Sequence, residues 1–265
     1  MEKYISLIKN DVLINDLPSE ACAFNGEYLE NLIDGYRTLT TSGRESLDVV
    51  HHTSGDIIGR DGEIEFGSNI PAREIEIEFS LVANTAEELI QKYDTLKNIL
   101  RNHYGNHEMV FKDDPDYRFF GKLLMIDRPP KGKKKVVSMM TFICYDPYKY
   151  TDIKTVTGNV FADAELLGYE AKIEQITYTL TAGGSNPRLT NTTLGLPIAV
   201  KGDYLSGDKL IFDFMQAKIY KGLENITKDL MPEISYFPDF ILKDGDNLTT
   251  NISGTIEIKY RGKRL

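Results

Sequence analysis

The sequence predicts a mainly β protein in two domains, an α+β domain over residues 1–152 followed by an all-β sandwich over residues 153–265. Three observations carry this reading. Residues 73–82 alternate, with Ile75, Ile77, Phe79 and Leu81 on one side and Glu74, Glu76, Glu78 and Ser80 on the other, the period-two pattern of a half-buried strand. Residues 85–101 hold the one clear helical stripe, Leu89, Tyr93, Leu96 and Leu100, at the spacing that puts four apolar side chains on one face. After Tyr150 the helical signal vanishes, and short apolar runs recur between turn residues, as in a sandwich.

The elements follow in order. The first thirty residues alternate weakly and contain Leu17-Pro18, so short strands and loops are expected. Residues 41–63 are rich in Gly, Ser, Thr and charge, and the Asp61-Gly62 pair is a strong turn signal. This predicts a long exposed excursion or β-arm. Thr85 and Glu88 form a capping box at the helix start, Lys97 and Arg101 suit its C-terminal dipole, and Tyr104-Gly105 ends it. Strands are expected at 107–112, 117–127 and 135–145, joined by an Asp114-Pro115 turn and a tip from Pro129 to Lys135. In the second domain they are expected at 173–181, 196–201, 208–214, 216–220, 236–242 and 252–260. Turns are marked there by Gly183-Gly184, Ser206-Gly207-Asp208 and the run Lys243 to Asp246.

Bulk numbers exclude several classes. The 265 residues are 41% apolar and 27% charged, enough for a folded core. A net charge of −9 argues against binding nucleic acid through a broad basic face. Residues 1–16 lack the basic-then-apolar pattern of a signal peptide, and no apolar run reaches the ~18–20 residues of a membrane helix. Synthesis and folding in a host cytoplasm, with no membrane insertion, are expected. Cys22 and Cys144 are too few for a disulfide framework and sit in no metal-ligand spacing, which predicts buried free thiols.

A search for chemistry finds none. His51 and His52 are adjacent, so on a strand they point to opposite faces and do not converge on a metal. His103 and His107 fall at the helix exit, where a surface role is expected. Asp113, Asp114 and Asp116 lack EF-hand spacing, and turn formation around Pro115 accounts for them. Asp244, Asp246 and Asn247 read as turn chemistry. The lysines between Lys131 and Lys135 read as a solvated hairpin tip. No catalytic, cofactor-binding or metal-binding residue is assigned. There is no Trp, the strongest stacking residue for a glycan, although Tyr169, Tyr178, Tyr204, Tyr220 and Tyr236 are available.

One ordered set of segments remains. GRESLDVV (Gly43–Val50), GRDG (Gly59–Gly62), PAREIEIEFSL (Pro71–Leu81) and EELIQKYDTLKNIL (Glu87–Leu100) come first. VFKDDPDYRFFGKLL (Val110–Leu124) and FICYDPYKY (Phe142–Tyr150) follow. This order resembles the distal tail proteins of long-tailed phages infecting Gram-positive bacteria. The resemblance covers roughly residues 30–150, and the closing GTIEIKYRGKRL (Gly254–Leu265) is similar to the way many of them finish. It implies an N-terminal β-sandwich with one helix and an extended arm, then a galectin-like, jelly-roll sandwich. It also implies a homo-hexameric ring at the virion tail tip, between the tail tube protein and the tail-tip hub, with a channel for DNA. Receptor-binding or peripheral baseplate proteins are further partners it suggests.

The residues agree with that implication where they bear on it. An arm is costly to order in a monomer but sensible if it wraps a neighbour. This makes Gly43, Arg44, Gly59, Arg60, Asp61 and Gly62 the candidate inter-subunit residues. Glu74, Glu76 and Glu78 would line a conduit without holding passing phosphates. The alternative reading is a carbohydrate-binding β-sandwich engaged in host-wall adhesion, and a third is a soluble α+β enzyme. The first usually brings a signal peptide and Trp, and the second a convergent polar constellation.

Overall fold

The computed structural model describes residues 17–55, 58–59, 61–101, 106–127, 129 and 131–265. The expectations for residues 1–16, Ile57, Arg60, His103 and the Tyr104-Gly105 helix stop lie outside them. The chain divides into two compact units, with the break between Lys149 and Tyr150.

The first unit is built on the strands β1 (Cys22–Phe24), β2 (Glu27–Tyr28), β3 (Tyr36–Ser42), β4 (Val50–Thr53), β5 (Glu65–Asn69), β6 (Arg73–Val82), β7 (His107–Phe111), β8 (Asp114–Ile126) and β9 (Lys135–Cys144). Strand β6 pairs along its length with β9 and on its other side with β3. Long β8 serves two neighbours: its first half pairs with β7 and its second half with β9. Strand β1 then continues the sheet from β7. The expected alternation in β6 holds, because Ile75, Ile77, Phe79 and Leu81 are fully buried. They pack in one core with Leu89, Tyr93, Leu96 and Leu100. Those four come from the helix Ala86–Arg101, whose apolar stripe is the one read from the sequence.

The helix start differs from the expected box in one bond. Glu88 N–H donates to Thr85 Oγ1 at 3.1 Å, but the Glu88 carboxylate accepts from Asn84 N–H at 2.8 Å, one residue before the cap. A one-turn helix at Leu29–Leu32 carries no sequence signal, since four residues are too few for a stripe.

Two expectations in this unit are corrected. The turn before β8 falls at Lys112 and Asp113, with Phe111 facing Asp114; Pro115 lies inside the strand. Asp113, in that turn, is also paired with Arg44, and Asp114 binds Lys149 Nζ at 2.7 Å, so ion pairing is added to turn formation at these acids. His107 is not on the surface. It is buried, with Nε2 2.7 Å from Leu100 O, and its ring meets Phe24 and Phe142 edge-on.

In the second unit the strands are β10 (Lys149–Thr157, its first residue in the first unit), β11 (Val160–Phe161), β12 (Lys172–Leu180), β13 (Gly184–Ser185), β14 (Arg188–Asn191), β15 (Leu196–Ala199), β16 (Asp203–Tyr204), β17 (Lys209–Asp213), β18 (Lys218–Lys221), β19 (Glu224–Asn225), β20 (Asp246–Thr250) and β21 (Gly254–Arg264). One layer orders them β19-β18-β17-β12-β21-β10 and the other β11-β20-β14-β15. Both contribute to a single core: Ile176, Tyr178 and Ile258 from the first, Leu189, Ile198 and Leu248 from the second. The sandwich is therefore real at the level of its packing.

Residues 236–242 are not the expected strand. Phe237 stands 5.1 Å from Phe214, and Phe240 and Leu242 join the core. The apolar run fills the sandwich as an irregular plug, and Pro238 within it has no N–H for a ladder. The plug is held at Ile241 by a polar node that the sequence shows only as a turn. Fully buried Asn191 donates to Asp246 Oδ2 at 2.6 Å and to Ile241 O at 3.1 Å, and its Oδ1 accepts from Thr193 N–H. Replacing Asn191 with Ala leaves buried Asp246 Oδ2 with the Lys243 N–H at 2.9 Å but without its side-chain donor, and is expected to cost about 1–3 kcal/mol, read as a lower urea midpoint at unchanged slope.

Candidate assembly surfaces

The excursion predicted over 41–63 is a two-stranded ribbon that reaches Asn69. Among the described residues, β4 and β5 pair only with each other, and every residue of both is exposed. A ribbon of two strands is marginal by itself, and this one also shows Leu47, Val49 and Phe66 to solvent, Phe66 at 72%. His51 and His52 point to separate partners, as adjacent strand residues must: Glu65 at 2.8 Å and Asn69 at 2.6 Å. Among the described residues no set of three His, Cys, Asp or Glu side chains is placed to hold a metal.

The candidate arm residues fall into two groups. Gly59, Asp61 and Gly62 sit exposed at the far turn, the glycines at φ +81° and +78°. Gly43 and Arg44 belong to the root. The Arg44 guanidinium makes two bonds to the Asp113 carboxylate, at 2.8 and 2.7 Å, and lies 4.3 Å from the Phe111 ring centre. Buried Arg73 donates to Pro147 O at 2.8 Å and to the carbonyls of Gly43 and Arg44. Two arginines thus fasten the ribbon where it leaves the sheet, beside a cleft of about 240 Å³ lined by Ser46, Asp48, Ile70, Arg73 and Pro147.

The Arg44 guanidinium holds the Asp113 carboxyl below its ordinary pKa. A depressed carboxyl stabilises the fold above its unfolded value, about pH 3.9, and that contribution is lost as pH falls through the folded value. Asp113→Asn is therefore expected to flatten the fall of melting temperature below about pH 4. Arg44→Ala should cost about 2 kcal/mol at pH 7, since it removes a paired charge and its packing together.

Glu74 is exposed and Glu76 and Glu78 half-buried, all on the face of β6 away from the core. Their cross-strand partners are uncharged. Ile143, Thr141 and Met139 lie on β9, and Ser42 and Thr40 on β3 face Glu76 and Glu78. Bases flank the row: exposed Arg37 on β3 faces Ser80, the next residue on that side of β6, and Lys122, one strand beyond β9, faces Ile143. The row is a local concentration of negative charge with no base directly across the ladder, Glu76 accepting instead from Ser42 Oγ at 3.2 Å.

Nucleophilic chemistry finds no support among the described residues. Cys22 and Cys144 are free and buried, and burial pushes both thiols up, Cys144 to about 12, so neither is a thiolate at neutral pH. Of the tyrosines named as glycan platforms, Tyr178 and Tyr204 are buried and Tyr169 and Tyr220 half-buried. Tyr236 stands exposed. No helix among the described residues is long and apolar enough to cross a membrane.

The first unit matches a known family model. Residues 28–144 match the family model described as the phage tail protein RIFT-related domain. That span runs from β2 to the end of β9 and includes the ribbon, its root and the acidic row. The particular family that the comparisons support is the one read from the sequence, the siphophage distal tail proteins. The chain is 23% identical over 218 residues to the distal tail protein of Bacillus phage SPP1, covering 80% of this chain and 83% of that protein. Its fold matches the crystal structure of SPP1 Dit (gp 19.1) with a TM-score of 0.74 at 16% identity, over 92% of this chain and 99% of that one. A chain of the phage p2 baseplate in its activated conformation matches with a TM-score of 0.50 at 13% identity, over 85% and 90%.

Proposed function

We propose that this chain is a structural, non-enzymatic component of a phage tail tip. In this reading six copies close a ring that joins the tail tube to the tail-tip hub or baseplate and leaves a passage for DNA. The observation that carries the ring is the ribbon. It is fastened at its root by Arg44 and Arg73, unsupported beyond it, and carries exposed apolar side chains. Such an element gains its stability from a second surface. The tail-tip setting comes from the relatives, whose names are those of a distal tail protein and of a baseplate. Static light scattering and negative-stain microscopy test the ring. A six-fold mass with annular particles is expected, alone or with the neighbouring tail proteins, and a fixed dimer under all those conditions would overturn it.

The acidic row is assigned to the channel wall. In a closed ring one surface of each copy faces the axis, and a negative wall there repels phosphates in transit. Replacing Glu74, Glu76 and Glu78 together with Lys is expected to leave the fold and the particle intact. Plating efficiency should fall at least tenfold, because a cationic lining binds the polyanion. Particles of normal infectivity would move the row to the outside. For the second unit the reading is docking of a peripheral baseplate protein rather than glycan capture, supported by the absence of Trp, His and Cys over 151–265. Titration with wall oligosaccharides and, separately, with tail proteins discriminates the two.

A further inference from the structure

Strand β3 is an edge. Among the described residues it pairs with β6 and with no other strand. An edge normally presents a row of free N–H groups that a second chain can extend. Here those groups are occupied from within. Thr38 N–H donates to Glu30 Oε1 at 2.9 Å, in a buried position. Thr41 N–H donates to the Glu20 carboxylate, which also accepts from Thr41 Oγ1 at 2.9 Å and Thr40 Oγ1 at 3.3 Å. Tyr36 N–H closes on Ile33 O at 3.1 Å. The register against β6 shifts between Thr38 and Thr40, which leaves Leu39 as the extra residue of a bulge. That shift puts Thr38 and Thr41 on the same outer side, where ordinary alternation would have separated them.

Two carboxylates from different parts of the chain, Glu20 before β1 and Glu30 in the one-turn helix, thus take acceptor positions that an added strand would fill. We propose that Glu20 and Glu30 are edge guards: they close β3 against strand addition by a second copy of this chain, so that association is left to other surfaces, the ribbon first among them. A carboxylate serves better than a neutral acceptor here. It satisfies the donor strongly, and half-buried Glu20 also sets a negative charge where an incoming strand would have to bury it. The guard stands whether or not the ring forms, since its immediate readout is the exchange of single backbone amides.

Amide hydrogen exchange on the full chain tests it. The Thr41 and Thr38 amides are expected to be protected although neither enters a strand ladder; exchange of both at the rate of open edge amides would overturn the proposal. In Glu20→Ala, Thr41 exchange should speed at least tenfold while the core amides of β6 stay unchanged, and Glu20→Gln, which keeps an acceptor oxygen, should restore most of the protection. The same Glu20→Ala protein should form concentration-dependent species larger than those of the wild type. Adding Thr41→Pro, which removes the freed donor, should abolish them. A folded Glu20→Ala protein with wild-type association at every concentration would show that the carboxylate only tethers a loop and would sink the guard. If Glu20→Ala does not fold, Glu30→Ala carries the same comparison at the Thr38 amide, and faster Thr38 exchange with wild-type association there overturns the guard.

Discussion

Excising the ribbon is expected to abolish assembly while leaving the fold intact. Val50 and Asn69 are paired across the ladder, so residues 51–68 can be replaced by an Asn-Gly turn that joins two positions already side by side. Every residue removed from β4 and β5 is exposed, and the anchoring bonds of Arg44 and Arg73 lie on the root side of the cut. Stability should therefore change by no more than about 0.5 kcal/mol. If the ribbon is what wraps a neighbour, the mass in light scattering should fall from six-fold to one-fold at all concentrations tested. A ring of unchanged stability to dilution would show that the ribbon beyond the Val50–Asn69 pair, exposed Phe66 included, is not what joins the copies.

The second large effect is at the root. Gly43 sits at φ +82°, and a Cβ built there would lie 2.0 Å from Glu74 O. Left-handed backbone costs an L-residue roughly 1–2 kcal/mol. The clash adds more, because its partner is a carbonyl at the β6 end and cannot rotate away. The Gly43 carbonyl also accepts from Arg73 at 3.0 Å, so relieving the clash by moving the chain would break that bond. Gly43→Ala is expected to cost about 3 kcal/mol or more, lowering the melting temperature by roughly 10 °C for a unit of this size. Gly59→Ala is the internal control. It has a similar φ of +81° but nothing within 4 Å of its Cβ, so it should cost only the conformational part, about 1–2 kcal/mol. Equal losses at both positions would show that the close approach to Glu74 O is not what makes Gly43 necessary.

How much of this was legible can be judged from particular elements. Period two in 73–82 and the stripe Leu89, Tyr93, Leu96 and Leu100 place a strand and a helix because burial on one face leaves its period in the chain. Asp61-Gly62 and the run of small polar residues around it mark the excursion because no apolar face is available to bury it. The ordered segments from Gly43 to Tyr150 carry the family. The same local logic fails where a residue's partner is distant in sequence. Arg44 and Asp113 are 69 residues apart and His107 is wrapped by Phe24 and Phe142, so no local pattern marks the anchor at the ribbon's root or the buried place of that ring. Residues 236–242 have the composition of a strand, but their apolar side chains are spent on plugging a core whose walls come from elsewhere.

The sequence by itself determined the classes of element, the helix stripe, the acidic face of β6, the exposed excursion and the absence of a nucleophilic or metal-ligand pattern. All of these follow from which side chains prefer water at a given local period. Only the tertiary structure decided that the excursion pairs with itself out to Asn69 and that Gly43 is needed for its closeness to Glu74 O. Only there, too, does Asn191 hold Asp246 inside a sandwich, or do Glu20 and Glu30 occupy the outer donors of β3. Each of these depends on groups that meet only once the chain is folded. Whether a buried polar group or a close glycine stabilises or ruins a fold is set by that contact, and no local pattern encodes it.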